Sequence, residues 1–412
     1  MIKKVFFLMA AITLLTYSCT GSEEEIQNTP TQTYISLNPN VASTRAAMMD
    51  LDSLKNDPDG FRVYAYSNGS TSWYNDGLNS IDGTNNHVFE TATGWGFQSS
   101  VLWPAATTVS MTFMAYYPSV ISTTTLTGVS ALPPPSSALT LDFAIPSSKF
   151  HQIDILVAKE TVSSKPASGE LLLTFKHILS KVNIIVSTSD GTTPISDPDH
   201  KVYVLAVGFC NLISTNSFDA LSGDWWPSPT TTSSYDYFNS FEQLSAPDIY
   251  PEKEFSNATE ASFFSDDKFE HLMLLPQEPA EWDLSGDPAN DAYIRMLYRV
   301  ENPSYTDSIG YASAENHPSH GLGISSWDWY EGPLYLLVGY AYKTEWKPGE
   351  AYEYNIPILP GSKGGILLDK RFYDNQGNPT DLEFNGNLWE HVTKLTPYVK
   401  DWDYKASTEV ID

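Results

Sequence analysis

Residues 109–117, VSMTFMAYY, alternate strictly: Val109, Met111, Phe113, Ala115 and Tyr117 fall on one face of an extended chain, and Ser110, Thr112, Met114 and Tyr116 on the other. Period two is the spacing of a β-strand, and a strand with large apolar groups on both faces has to be covered on both sides. Similar runs recur along the chain, at residues 61–66, 86–90, 95–98, 139–145, 153–159, 171–175, 182–186, 202–209, 272–275, 293–300, 334–342, 352–358 and 391–399. Turn residues bound them; Asn68-Gly69 supplies the positive φ angles of a tight hairpin turn leading to Trp73-Tyr74. No stretch keeps a long helical period, and 24 Gly and 27 Pro among 412 residues suit short strands joined by turns. The expected fold class is all-β.

A chain of 412 residues is long enough for two domains, each with its own core. The clearest shift in composition is SSKPASG at residues 163–169, which places the boundary between a first domain, residues 46–168, and a second, residues 169–412. Residues 225–267 and 302–328 are polar, aromatic and rich in turn residues, and read as long loops of the second domain.

The N-terminus carries a different set of instructions. Lys3 and Lys4 precede an apolar run over residues 5–15, too short to span a bilayer and of secretion-signal length, so residues 1–18 are read as a signal peptide. Thr16-Tyr17-Ser18-Cys19 resembles a bacterial lipobox, in which the thiol of Cys19 takes the lipid and becomes the new N-terminus. Glu23, Glu24 and Glu25 then start an acidic, solvated linker. In residues 33–37, Thr33, Ile35 and Leu37 share one face of a half-buried strand, and Asn38-Pro39-Asn40 is read as its break. The small polar segment Ser43-Thr44-Arg45-Ala46 reads as an exposed loop open to a trypsin-like protease after Arg45.

Charge and motifs narrow the function. Fifty acidic against 23 basic residues give a net charge of −27, which repels phosphate backbones and disfavours nucleic-acid partners. Lipidation of Cys19 leaves Cys210 alone inside a strand-like run, a buried thiol with no disulfide partner. The eight histidines are scattered; His317-Pro-Ser-His320 has no third ligand nearby, and His177, between two core strands, reads as structural, so no metal or cofactor is expected. Asp57-Pro-Asp-Gly60 and Asp197-Pro-Asp199 read as turns, since they lack the alternating ligands and closing glutamate of a calcium loop. Hydrolase and nucleotide-binding signatures are missing, and no carboxylate pair stands out, so the chain is not expected to be an enzyme. Trp225, Trp226, Trp327 and Trp329 lie in the long loops and keep a second reading open, a monomeric glycan-binding surface lipoprotein that stacks sugars on exposed indoles.

Five segments, in order, resemble the fimbrillin family of type V pilus subunits: MTFMAYYP (111–118), DILVA (154–158), LTFKHILSKVNI (173–184), LLPQ (274–277) and WKPGEAYEY (346–354). The resemblance runs from the lipobox to residues 399–402, VKDW. It implies two tandem transthyretin-like β-sandwiches, no catalysis, and export as an outer-membrane lipoprotein that ends in a cell-surface fimbrium. It also implies a lipidated propeptide, residues 19–45, that an Arg-specific protease removes at Arg45-Ala46 together with the strand containing Thr33, Ile35 and Leu37. The groove so opened takes a strand from another pilin subunit, a homo- or hetero-polymer assembled by strand exchange. Residues 394–412 place Tyr398, Trp402 and Tyr404 on one parity but end in a polar run, which leaves shaft, tip, accessory and anchor roles and the identity of the donor strand open.

Overall fold

The computed structural model describes residues 33–42, 51–70, 72–74, 86–92, 94–106, 108–120, 126–131, 139–187, 201–226, 231–241, 252–256, 261–263, 271–278, 280–284, 288–301, 311–312, 332–342, 345–358, 365–383 and 398–401. Over these the chain is nearly all β, with one short α-helix, α1 (Leu51–Asn56).

Seven strands close into a barrel: β1 (Ser36–Val41), β4 (Gly94–Phe97), β3 (His87–Thr91), β2 (Phe61–Ser67), β5 (Met111–Tyr117), β8 (Leu156–Val162), β9 (Glu170–His177) and back to β1. Every neighbouring pair is antiparallel except β1 and β9, which run parallel. The interior holds Phe61, Val63, Phe113, Leu171, Leu173 and Phe175 with the inward residues of β1. β5 is buried along its whole length: Met111, Phe113, Ala115 and Tyr117 point into the barrel, while Met114 and Tyr116 join a second core outside it. A single sheet becomes a barrel here because β1 pairs on both sides, with β9 and with β4. The 163–169 segment is the seven-residue β8–β9 connection of this barrel, ended by Gly169 at φ +74°.

Against the outer face of the barrel lies a four-stranded sheet in the order β13 (Asp224–Trp225), β12 (Thr215–Asp219), β7 (Leu139–Ala144), β6 (Leu126–Ala131). Leu141, Phe143 and Phe218 of this sheet share a core with Met114, Tyr116 and Val157 of the barrel. The sheet joins strands from both halves of the sequence.

Two larger sheets face each other across the rest of that core. One contains β10 (Ser180–Ser187), β16 (Ala261–Ser262), β17 (Leu272–Leu274), β22 (Glu350–Pro357) and β25 (Tyr398–Asp401), with β10 and β22 parallel. The other contains β11 (Lys201–Ile213), β14 (Thr232–Phe238), β15 (Lys253–Ser256), β18 (Tyr293–Glu301), β21 (Tyr335–Ala341), β23 (Ile366–Tyr373) and β24 (Pro379–Glu383). A two-stranded ribbon, β19 (Tyr311–Ala312) and β20 (Gly332–Pro333), completes the set. Phe209 of β11 meets Tyr342, Trp346 and Tyr354 edge-on at 5.4, 5.9 and 5.9 Å, so aromatic rings span the gap between the sheets.

Ten of the described strands were not expected from the sequence: β6, β12, β13, β14, β15, β16, β19, β20, β23 and β24. β14 falls inside the stretch read as a polar loop, yet its Tyr235, Tyr237 and Phe238 are buried. β6 and β12 carry few apolar residues, and they form because each lies against the apolar β7.

Candidate assembly seam

β1 is the strand that closes the barrel, and it extends further than its sequence suggests. Ile35, Leu37, Pro39 and Val41 are all buried, while Tyr34, Ser36, Asn38 and Asn40 face outward. The inward face thus has four positions, and Thr33 lies half-buried just ahead of them. Asn38-Pro39-Asn40 does not break the strand, and hydrogen-bond parity explains why. The Ser36 amide donates to the Gly169 carbonyl at 3.1 Å and the Ala42 amide to the Phe175 carbonyl at 2.8 Å. In a parallel ladder these bonds alternate, so the amides of Asn38 and Asn40 also point toward β9. Odd-numbered amides point the other way, as that of Ile35 does to the Val101 carbonyl at 2.7 Å. Pro39 therefore lacks its N–H on the side toward β4, where the pairing among the described residues ends at Leu37 opposite Trp95.

The two sides of the strand are held unequally. Toward β9 the register runs unbroken from Ser36 opposite Glu170 to Val41 opposite Phe175. Toward β4 there is the Leu37–Trp95 pair, the Ile35–Val101 bond, a bridge between Tyr34 and Leu102, and the Trp103 amide donating to the Thr33 carbonyl at 2.9 Å. The start of the strand is fastened further by Lys165 Nζ, which donates to Thr33 Oγ1 at 3.0 Å, and by Trp103 Nε1, which donates to the Gly169 carbonyl at 2.8 Å. Burying Ile35, Leu37 and Val41 is worth about 5–9 kcal/mol in all, and ordering six residues of backbone costs about 6–12 kcal/mol. The two nearly cancel. Main-chain hydrogen bonds and the covalent link to the rest of the chain then decide whether the strand stays.

Without β1 the barrel would expose two sheet edges and an apolar lining that includes Phe61, whose ring lies 5.3 Å from that of Trp95 and 5.0 Å from that of Phe175. At the end of the strand a cavity of about 550 Å³ opens between the barrel's outer face and the other sheets, bordered by Ala42, Thr174, Lys176, Phe218 and Gly349. His177 lines it too; its Nδ1 is 2.6 Å from Asp154 Oδ2, and both residues are buried, which makes it a part of the fold at the barrel's end.

Of the residues singled out in the sequence, Thr33, Ile35 and Leu37 come together in this seam. Cys19, Arg45, Ala46, Trp327 and Trp329 lie outside the described residues. Trp225 and Trp226 part company. Trp225 packs at 4.9 Å from Phe143 and 5.2 Å from Phe218, and its Nε1 donates to the Ile178 carbonyl at 3.2 Å, whereas Trp226 is 52% exposed. Pro39, Val41, Trp103 and Gly169 were not marked in advance; the shared parity of 35, 37, 39 and 41 is the signal that could have extended the strand. Cys210 is buried in β11, and the loss of solvation raises its thiol pKa. No group of three or more His, Cys, Asp or Glu that could hold a metal ion exists among the described residues.

The fimbrillin-like family profile matches residues 44–369. The chain belongs to the fimbrillin-like family. The family is non-enzymatic, and membership makes this a fimbrial or adhesin-like protein, with pilin partners and a cell-surface location. Among solved structures, a fimbrial protein from Bacteroides vulgatus aligns with a TM-score of 0.55 at 15% identity, over 90% of this chain and 99% of that one. A candidate cell adhesion protein from Bacteroides uniformis aligns with a TM-score of 0.39 at 14% identity, over 91% of this chain and 100% of that one. Another candidate cell adhesion protein, from Bacteroides eggerthii, gives 0.40 at 8% identity, over 90% and 96%. Only the first of these values is high enough to speak for a common fold. No curated protein matches the chain.

Proposed function

We propose that this chain is a structural or adhesive subunit of a fimbrium that is exported as a lipoprotein, matured by cleavage at Arg45-Ala46 and assembled by strand exchange. Residues 1–18 are the signal peptide, Cys19 carries the lipid, and residues 19–45 form the propeptide that holds the removable strand. The barrel, opened along β1, and the two facing sheets of the second half are the tandem transthyretin-like units. The observation that carries this reading is that β1 is the barrel's closing strand: its inward residues fill the core while its neighbours on both sides are strands of the mature chain. Arg45 follows the last residue of the described segment, Ala42, by three positions, so a cut there leaves β1 held by noncovalent contacts alone. A naked groove would aggregate, and a strand from a neighbouring subunit covers it with the same ladder and the same alternating side chains.

The test is to treat the exported protein with an Arg-specific protease, sequence the new N-terminus and follow the mass of the product. Expected are an N-terminus at Ala46, loss of residues 19–45 from the product and appearance of oligomers. A chain left intact at Arg45, or cut there while retaining β1 and remaining monomeric, would overturn the reading.

A further inference from the structure

The cavity of about 550 Å³ at the end of β1 differs in charge from the molecule around it. The chain carries 50 acidic and 23 basic residues, yet two lysines, Lys159 and Lys176, line this cavity and no Asp or Glu does. Strand pairing brings the two together. Val157 of β8 stands opposite Lys176 of β9 in an antiparallel pair, so Lys159, two residues on, lies on the same face one diagonal step from Lys176. Cβ atoms at that step are about 7–8 Å apart, close enough for two long side chains to close on one group between them.

Neither ammonium group is neutralised. Lys159 Nζ donates to the Leu221 carbonyl, in the turn between β12 and β13, which fixes it and leaves two of its three donors. Lys176 is exposed, and among the described residues no carboxylate pairs with either lysine. Asp219, at the start of the same turn, is directed back at its own loop, where its Oδ1 accepts from the amides of Leu221 at 2.8 Å and Ser222 at 3.4 Å. A cleft lined by one sign of charge with apolar walls concentrates potential, here against a net charge of −27.

The rest of the lining suits a ring that carries hydroxyls. Thr174 and Ser222 supply side-chain hydroxyls, and Ser222 Oγ, which accepts from the Asp224 amide at 3.3 Å, keeps its proton to donate. Phe218 and Pro348 add apolar surface. The volume is within the range of small-ligand sites, about 300–1,000 Å³.

We propose that this cavity binds an acidic sugar of one or two rings, its carboxylate held between Lys159 and Lys176, its hydroxyls against Thr174 and Ser222 and its ring against Phe218 and Pro348. A neutral sugar of the same shape leaves the lysine pair without a counter-charge, so the acid is preferred. Ala42 borders the cavity, so the lining is complete with β1 in place. The site therefore belongs to the uncut chain, and its test is independent of cleavage and strand exchange.

The exported, uncut chain is titrated calorimetrically with digalacturonate, with galactobiose as its neutral counterpart, with inorganic phosphate and with a triglutamate peptide. Expected is one digalacturonate per chain, with galactobiose about tenfold weaker, and a loss of about tenfold for digalacturonate in Lys159→Gln and in Lys176→Gln at an unchanged melting temperature. Lys176→Arg, which keeps the charge, should retain binding. Bound digalacturonate should also slow acetylation of Lys159 and Lys176, read by peptide mapping, and not that of Lys370, exposed on β23. The proposal is overturned if digalacturonate shows no saturable binding, if galactobiose binds as tightly, or if both glutamine variants bind like the parent, which would put the ligand elsewhere. Phosphate or triglutamate bound as tightly as digalacturonate would leave a basic cleft but overturn the acidic-sugar assignment.

Discussion

The indole of Trp103 donates a 2.8 Å hydrogen bond to the carbonyl of Gly169, and this contact ties the connection after β4 to the turn before β9 where β1 begins. Gly169 sits at φ +74°, and a Cβ built there would come within 2.7 Å of Thr33 Cγ2. Both the backbone conformation and the closeness of the strand require glycine. Gly169→Ala is expected to cost about 1–3 kcal/mol through strain at that φ, and to loosen the start of β1 by pushing Thr33 away. Thermal melting measures the first effect. Faster hydrogen exchange at the amides of Ile35 and Ser36 measures the second, and unchanged exchange there would show that the turn does not hold the strand.

Proline substitutions along β1 should follow parity. Pro39 stands where no ladder bond is made, so Pro39→Ala should cost only about 0.4–1 kcal/mol, mostly through the greater freedom of the unfolded chain. Asn40→Pro removes an amide directed at β9 and should cost about 1–3 kcal/mol for the stranded carbonyl. Leu37→Ala, at a side chain 3% exposed, should cost about 2–5 kcal/mol. Denaturant melts of the three variants should keep that order, with Pro39→Ala nearest the parent; an Asn40→Pro variant as stable as Pro39→Ala would refute the assigned hydrogen-bond pattern.

Parity also marks where the sequence was legible and where it was not. Ile35 and Leu37 announce a strand by alternation, but Asn-Pro-Asn carries the composition of a turn, and only knowledge of which side pairs with β9 shows that the proline is harmless. β5 was readable on both faces because its own residues are apolar on both. β14 was not, because TSSYDYF looks like a loop until Tyr235 and Tyr237 are seen to bury against sheets built from distant parts of the chain. Barrel closure is of the same kind: it depends on β1 meeting β9 some 130 positions later in the sequence, a pairing that no local pattern encodes.

Cys210 lies toward the end of β11, 3% exposed, with its thiol pKa raised chiefly by burial. Thiolate is the reactive form, so native protein should resist iodoacetamide at Cys210 at neutral pH and react fully once unfolded. Peptide mapping of the alkylated protein, which separates Cys210 from Cys19, gives the answer; rapid labelling of Cys210 in the native state would mean that β11 opens far below global unfolding.

The β23–β24 hairpin carries an acid-sensitive pair. Arg371 Nη2 lies 2.6 Å from Asp369 Oδ2, and this hydrogen bond, more than any other influence, lowers the Asp369 pKa to about 2. A carboxylate depressed in the folded state contributes stability that is fully present above its ordinary value of 3.8 and is lost as pH falls through about 2. Both groups are solvent-accessible, so the effect on global stability should be small. NMR titration of Asp369 should show a midpoint below that of ordinary aspartates, and Arg371→Gln should move it upward toward 3.8; a midpoint unmoved by that change would assign the depression elsewhere.

Adjacent tryptophans should behave as opposites. Trp225 fills the space between Phe143 and Phe218 and satisfies the Ile178 carbonyl, so Trp225→Ala should cost about 3–5 kcal/mol, the range for removing a packed aromatic ring. Trp226, 52% exposed, should tolerate alanine within about 0.5 kcal/mol. If this face binds sugars by ring stacking, the exposed indole is the one that can do it, because the ring of Trp225 is already committed to its neighbours. A glycan array run on the parent chain and on Trp226→Ala separates the two roles: binding that disappears with Trp226 while the melting temperature stays put would assign it a ligand, and binding that is unaffected would leave it a surface residue of the β12–β13 sheet.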